Sequence, residues 1–523
     1  MSYIVQLSVI HHSSFFAPPF QKMENTPPQF NTPEEEMAWW QTEMKRMSEA
    51  RSVARDAKAV EIEAAEAERP LYTFYRRSHT TSIYVAIADY LERRGGWQRR
   101  PERTELGLCL HIGGHVAKGI EWGSLLRTSC APDGRKPLCN FYRGFTLLCE
   151  KARQVRTIRE HCVEVGIAPG TIQPTSFVIV PKSADQSERA LFEAEYARRA
   201  ADASDSSANV WILKPSGGGC GDDIVVESDV AKIGAFLDAL NPAKSEPWVV
   251  SKYIERPLLV TGQRKFDIRA WVLVTADFRI CLYREGVLRT SSVPYSLDDL
   301  SNRFVHLSNH CIQTECPEYG QYESTNEMWW QDFDTYLVET YGAENGFYAK
   351  ILPQIEAIVV TSLLAVRSRM ENSELANHES FQLFGYDFMV TDDTGIGGEP
   401  FQTLLIEVNS SPAVAADLMP AMVQDLVDLT IDPFFPLPDE VAAGQGPAEF
   451  AAHATAAAKA AALYQTEAEA AGEALDEDGE PLAVVGGDER AAKVAAAAAA
   501  ASSRTWEFKK GFNVLWTPAE EEE

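Results

Sequence analysis

The residues able to do chemistry in this chain sit in a few short strings. In Lys265-Phe266-Asp267-Ile268-Arg269, the period-two alternation of a strand puts Lys265, Asp267 and Arg269 on one face and Phe266 and Ile268 on the other. Three charges along one side of an apolar stretch do not suit a dry core, because unpaired buried charge is expensive. They face solvent or a polar cleft. In Leu404-Leu405-Ile406-Glu407-Val408-Asn409, Glu407 and Asn409 share a face, and Asp387 stands between Tyr386 and Phe388. If these two strings pair as strands, Asp387, Glu407 and Asn409 gather three hard oxygen donors. Such a set suits Mg²⁺, which keeps part of its shell for water and substrate phosphates. An Asp/Glu pair hydrogen-bonded at strand ends is the plainer reading of the same spacing.

Lys214 ends another strand pattern and is followed by Pro-Ser-Gly-Gly-Gly-Cys-Gly-Asp-Asp. Glycines let backbone N–H groups turn toward phosphates, and a lysine beside them neutralises charge. The loop has neither GK[ST] nor G-x-G-x-x-G, and Asp222 and Asp223 stand where a phosphate loop prefers no acid. Arg284 and Arg289, with Lys252, offer forks and a point charge that match phosphate or carboxylate oxygens. His306 and His310 are spaced i,i+4 without an acid at a catalytic offset, which favours a structural role.

These strings need a sheet to hold them. The middle of the chain alternates strand and helix patterns: strands over 71–77, 209–215, 223–228, 248–254 and 265–275, and helices over 82–95, 229–241 and 347–370. Residues 278–292 read as two strands folding back at Glu285-Gly286, and 381–390 and 403–409 as a strand pair. The fold class is α/β or α+β with a substantial sheet.

Composition sets the outer limits. The 523 residues carry a net charge of −28, with 45% hydrophobic and 24% charged residues, the profile of a globular protein. That balance argues against wholesale binding to nucleic acid or anionic membranes. The longest apolar stretch, Ala357–Val366, is about half a membrane span. Nine scattered cysteines without a CxxC pair read as reduced thiols, making the cytosol the expected compartment. Residues 1–32 are expected to be disordered and 33–70 to form a charged helix that docks or is solvated. Residues 439–523 hold 17 acids and 6 bases and read as an Ala-rich low-complexity tail, with Trp506–Trp516 a short docking segment inside it.

The strings SKYIERPLLVTGQRKFDIRAWVLVT, LYREGVLRTSSVPYS, HLSNHCIQTECPEYGQYESTNEMWW and FQLFGYDFMV with LLIEVNSSPA resemble the tubulin tyrosine ligase family of ATP-grasp enzymes. Within that family they look nearer to the tyrosine-adding enzyme than to glutamate- or glycine-adding relatives. The resemblance runs from about Leu71 to Pro436. It implies an ATP-grasp fold with a smaller N-terminal α/β domain at 71–148, a central domain at 149–260, a C-terminal domain at 261–437 and the tail from 438. It also implies that Lys151, Lys214, Lys252 and Ile254 lie in the nucleotide site, with Ser308 and Asn309 as a polar pair beside it. Lys265, Asp267 and Arg269 would line the cleft, Arg289 would meet phosphate or the reacting carboxylate, and Asp387, Glu407 and Asn409 would bind Mg²⁺.

The implied reaction is ATP-dependent addition of free L-tyrosine to the C-terminal carboxylate of α-tubulin, in the αβ-dimer, through an acyl phosphate. Glycine or glutamate addition to tubulin side chains and a non-catalytic tubulin binder are the alternatives. A monomer is expected, with tubulin recognised through local basic segments such as 93–103 and 143–159. Departures from the family pattern are Cys220, where a lysine is usual in the glycine-rich loop, Asp223, where a glycine is usual, and Ser251, where a glutamine is usual.

Overall fold

A computed structural model describes residues 71–438 apart from short internal breaks (Cys220, Asp222 and 394–399 among them), most of 508–518, and scattered positions between 32 and 46. The chain divides into two units, Met1–Arg69 and Pro70–Glu523. In the first, Glu35, Met37–Trp39, Thr42, Lys45 and Arg46 are helical, and the Glu35 amide donates to Thr32 Oγ1 as at a helix start. The expectations for 1–31, for the 47–70 part of the charged helix and for the Ala-rich stretch 439–507 fall outside the described residues.

The second unit begins with a parallel sheet. Strands β1 (Tyr72–Arg76), β2 (Trp97–Arg100), β3 (Leu110–Ile112) and β4 (Leu138–Cys139) are covered on one side by helix α1 (Ser82–Arg94). Its buried residues, among them Ile83, Ile87 and Leu91, recur at helical spacing and form its core face. Helix α2 (Lys151–Glu164) leads into an antiparallel sheet of β5 (Ser176–Ile179), β6 (Trp211–Pro215), β7 (Val225–Glu227) and β8 (Trp248–Lys252), in the order β5-β8-β6-β7. Helices α3 (Arg189–Ala201) and α4 (Val230–Ala239) pack on it through Phe192, Ile233 and Leu237.

The central sheet is built on β10 (Arg264–Val274), buried along its whole length. Short β9 (Leu259–Val260) pairs with its start. One edge of β10 carries β11 (Ile280–Tyr283) and then β12 (Val287–Pro294), both antiparallel to it. Residues 278–292 therefore do not fold into a hairpin, contrary to the reading of Glu285-Gly286 as a turn. Val274 opposes Ile280 and Arg269 opposes Val287, so β11 and β12 are one interrupted strand with a bulge between them. The chain reverses instead at Thr275–Arg279, where the Arg279 amide donates to Thr275 Oγ1. Gly286 keeps the bulge possible, since a Cβ there would lie 2.2 Å from the Trp330 ring and 2.6 Å from the Arg269 carbonyl. Beyond β12 come β13 (Glu327–Trp329) and helix α5 (Trp330–Tyr341).

Helix α6 (Leu352–Met370) is apolar enough by composition to cross a membrane, yet it packs into the core through Ile355, Val359, Leu363 and Val366. After it β14 (Glu379–Ser380) adds to β4, so the parallel sheet that starts at β1 is completed from the far side of the sequence. The other edge of β10 takes β15 (Gln382–Asp392), which pairs in turn with β16 (Pro400–Asn409), as the sequence pattern predicts. Helix α7 (Met419–Leu426) follows. The docking segment in the tail is a strand pair, β17 (Phe508–Lys509) and β18 (Phe512–Trp516). β18 pairs with β11 and buries Phe512, Leu515 and Trp516. Part of the tail assigned to 438–523 thus returns to the core, where Phe512, Leu515 and Trp516 bury large apolar side chains.

Candidate active site

The sheet of β5–β8 and the central sheet face each other across an open cleft. Into it project Lys214 from the end of β6, Lys265 and Asp267 from β10, Arg289 from β12, Asp387 from β15 and Glu407 from β16. Lys151, Lys252, Ile254, Ser308 and Asn309 also line it. Of the candidate residues, Arg269 and Asn409 stand behind this lining and bond to Asp387.

The register explains the convergence. Asp267 opposes Arg289, Arg269 opposes Asp387, and Asp387 opposes Glu407, so one face of adjacent strands presents alternating charge. Arg289 Nε donates to Asp267 Oδ1 at 2.7 Å and its Nη2 lies 2.8 Å from Asp387 Oδ2. Arg269 grips Asp387 with a fork, Nε to Oδ1 at 2.5 Å and Nη2 to Oδ2 at 3.1 Å. Asn409 Nδ2 donates to Asp387 Oδ2 at 3.2 Å and to Glu407 Oε1 at 3.4 Å. Lys151 Nζ lies 3.5 Å from Glu407 Oε2 and donates to the Gly218 carbonyl at 3.0 Å, tying helix α2 to the glycine-rich loop. Ser308 donates to Asp267 Oδ2.

Burial would push the Glu407 carboxyl up, but Lys151, Lys214 and Arg289 outweigh it and hold Glu407 well below the ordinary carboxylate range. Burial pushes Lys214 down against the pull of Glu407. Burial, with Lys214 adding repulsion, pushes Lys265 down to about 7. Behind Lys265 runs a hydrogen-bonded chain that no local motif announces. Its Nζ donates to Tyr253 OH at 3.1 Å and to the His306 carbonyl at 2.6 Å. Tyr253 OH is 2.8 Å from His306 Nδ1, and His306 Nε2 is 3.0 Å from the Asp299 carbonyl. The carbonyl can only accept, so Nε2 carries the proton and Nδ1 accepts from Tyr253. These two bonds hold the His306 ring in place at the cleft wall.

Arg284 does not join the cluster. It is exposed on the bulge while Arg289 enters the cleft. Lys252 is held by Glu255 and by the Val210 carbonyl at 3.1 Å, which fixes the end of β8. Asp223 is exposed, with φ +56°, between Gly221 and Ile224, which do line the cleft. Cys220 lies outside the described residues.

Among the described residues no three His, Cys, Asp or Glu side chains close on a point that holds a metal by themselves. Asp387 and Glu407, bridged by the Asn409 amide, form an open set instead. Two carboxylates and an amide suit Mg²⁺, an ion that completes its shell with phosphate and water. The donor chemistry fits.

The profile of the tubulin-tyrosine ligase family matches residues 142–442, more than half of the sequence and every candidate residue. The chain belongs to this family. Its α+β architecture is the family's ATP-grasp type. Relatives include tubulin glycylase 3C of Tetrahymena thermophila, 35% identical over 235 residues that cover 43% of this chain and 20% of the relative. Tubulin glycylase 3A of Drosophila melanogaster is 34% identical over 243 residues, 44% of this chain and 23% of the relative. A tubulin monoglycylase of Homo sapiens is 34% identical over 238 residues, 43% of this chain and 29% of the relative. The matched region thus spans a fifth to under a third of these relatives.

Proposed function

We propose that the chain is an ATP- and Mg²⁺-dependent ligase that joins glycine to a glutamate side chain of tubulin in the cytosol. The observation that carries the ligase reading is the opposed pair Asp387 and Glu407, set in one cleft with Lys214, Lys265 and Arg289. The choice of glycine rests on the relatives, whose names are those of tubulin glycylases. The tyrosine expected from the motifs finds no support among them.

Amide formation from a carboxylate needs activation and a place for charge. The carboxylate oxygen attacks the γ-phosphorus of ATP, the bond to the β-phosphate oxygen breaks, and an acyl phosphate and ADP result. The glycine amine then attacks the acyl carbon and expels phosphate, losing a proton as the amide forms. Arg289 and Lys214 supply cationic groups, and Lys265 an N–H donor, where charge gathers on the transferring phosphoryl group and the tetrahedral oxygen. Asp387, Glu407 and Asn409 would hold Mg²⁺, which when bound draws charge from phosphate oxygens. Asp267 holds Arg289 in place, and Arg269 does the same for Asp387.

The test is incubation of purified chain with tubulin, Mg-ATP and isotopically labelled glycine, tyrosine or glutamate in separate reactions. Peptide mass spectrometry then locates the label. Labelled glycine on a glutamate side chain, lost in Glu407→Gln, is the expected result. Label from tyrosine at the α-tubulin C-terminus would replace glycine with the tyrosine reading. Tubulin binding without transfer of any of the three would leave a non-catalytic binder.

A further inference from the structure

Two polar atoms in the cleft have no part in the chemistry above. The side-chain carbonyl oxygens of Gln154 and Gln173 are buried and accept no hydrogen bond, and the two residues are 3% and 4% exposed. Among the described residues with such an unpartnered side-chain atom, only these two line the cleft. At Gln173 the amide is oriented by its other end, since Nε2 donates to the Val155 carbonyl at 3.0 Å. Oε1 therefore occupies the opposite side of the amide plane. Val155 follows Gln154, so the same contact ties Gln173 to the helix that carries Gln154. A buried amide oxygen left bare is costly, and native sites offset that cost by pairing it. Here the partner has to enter through the cleft.

The surroundings say which part of a ligand it is. The fixed charges gather around Arg289, Lys265 and Glu407. Gln154 and Gln173 share the lining with Val155, Ser176, Val249 and Ser251. Val155 and Val249 pack into one apolar cluster, and the hydroxyls of Ser176 and Ser251 engage each other at 2.8 Å. A nucleotide triphosphate places its phosphates among the clustered charges and its flat base against the apolar stretch of Val155 and Val249. Two carbonyl acceptors there select a base edge that carries N–H.

We propose that Gln154 and Gln173 accept hydrogen bonds from the exocyclic amine of adenine and so select ATP over other purine triphosphates. The carbonyl that guanine carries at the same ring position would set oxygen against oxygen. This assignment rests on the nucleotide-dependent ligase reading and names two residues through which that site chooses its nucleotide.

The experiment is calorimetric titration of the full chain, without tubulin or amino acid, using ATP and purine riboside 5′-triphosphate, which lacks only the amine. Wild type is expected to bind ATP about tenfold or more tighter than the analogue, the worth of one or two hydrogen bonds. The double variant Gln154→Met/Gln173→Met is expected to bind both alike, with its analogue affinity unchanged. That unchanged affinity also reports that the variant is folded. Equal binding of the two nucleotides by wild type overturns the proposal, as does an ATP preference that survives in the double variant. If wild type binds neither nucleotide, the ligase reading fails and the proposal falls with it.

Discussion

One guanidinium nitrogen of Arg289 serves two carboxylates at once: Nη2 lies 2.5 Å from Asp267 Oδ1 and 2.8 Å from Asp387 Oδ2. The three residues come from β12, β10 and β15, so the contact pins three strands at the floor of the cleft. Arg269 grips Asp387 from the neighbouring position on β10. The site is thus organised by its own ion pairs before any ligand arrives.

Removing Arg289 leaves two buried carboxylates short of a cation. Arg289→Ala is expected to cost about 3 kcal/mol, the usual scale for breaking a buried pair, measured as a lower urea midpoint. Arg289→Lys restores the charge without the fork and should recover less than half of that loss. A midpoint unchanged in Arg289→Ala would contradict the bridging role.

Lys265 sets a slope of stability against pH. Burial, then repulsion from Lys214, lowers it from 10.5 to about 7, so the unfolded chain holds the proton more tightly than the folded one. The resulting cost is fully present below pH 7 and fades as pH rises toward 10. Between pH 7 and 9 the urea midpoint of wild type should climb more steeply than that of Lys265→Met. Equal slopes would place the titrating proton elsewhere.

His111 works at the acid side. Burial, with His378 beside it, lowers its imidazole from 6.5 to about 4. Stability is intact above pH 6.5 and is lost as pH falls toward 4, by roughly 2 kcal/mol at pH 5. Thermal melting at pH 7 and pH 5 should show this drop in wild type and a smaller one in His111→Gln.

The strand β18 bears on stability far from the site. Trp516 is 1% exposed, and the Arg367 guanidinium sits 4.6 Å from its ring centre. Trp516→Ala is expected to cost about 3 kcal/mol by urea unfolding. Deleting 508–523 should uncover the β11 edge and raise light scattering on heating, since bare edges template aggregation.

The sequence disclosed the cleft floor well, because strand periodicity alone assigns Lys265, Asp267 and Arg269 to one face and Glu407 and Asn409 to another. The pairing of Asp387 with Glu407 followed from two strings close in sequence. What stayed hidden depends on long-range contact. Nothing local distinguishes a bulge at Glu285-Gly286 from a turn; the difference lies in β10, which occupies the place the hairpin partner would take. Tyr253 and His306 meet only once the end of β8 and the short helix Arg303–His306 pack together. Gln154 and Gln173 carry no motif, and only burial in the folded cleft makes their oxygens conspicuous.

The pairing of β18 with β11 also fixes an order in time. A chain made from its N-terminus completes β10, β11, β15 and β16 (ending at Asn409) while β18 (starting at Phe512) is still about 100 residues from being joined. At translation speeds of roughly 5–20 residues per second, the β11 edge waits on the order of ten seconds for its neighbour. A nascent chain stalled in that interval holds the whole cleft with an open flank, so synthesis must pass residue 516 before the central sheet can close.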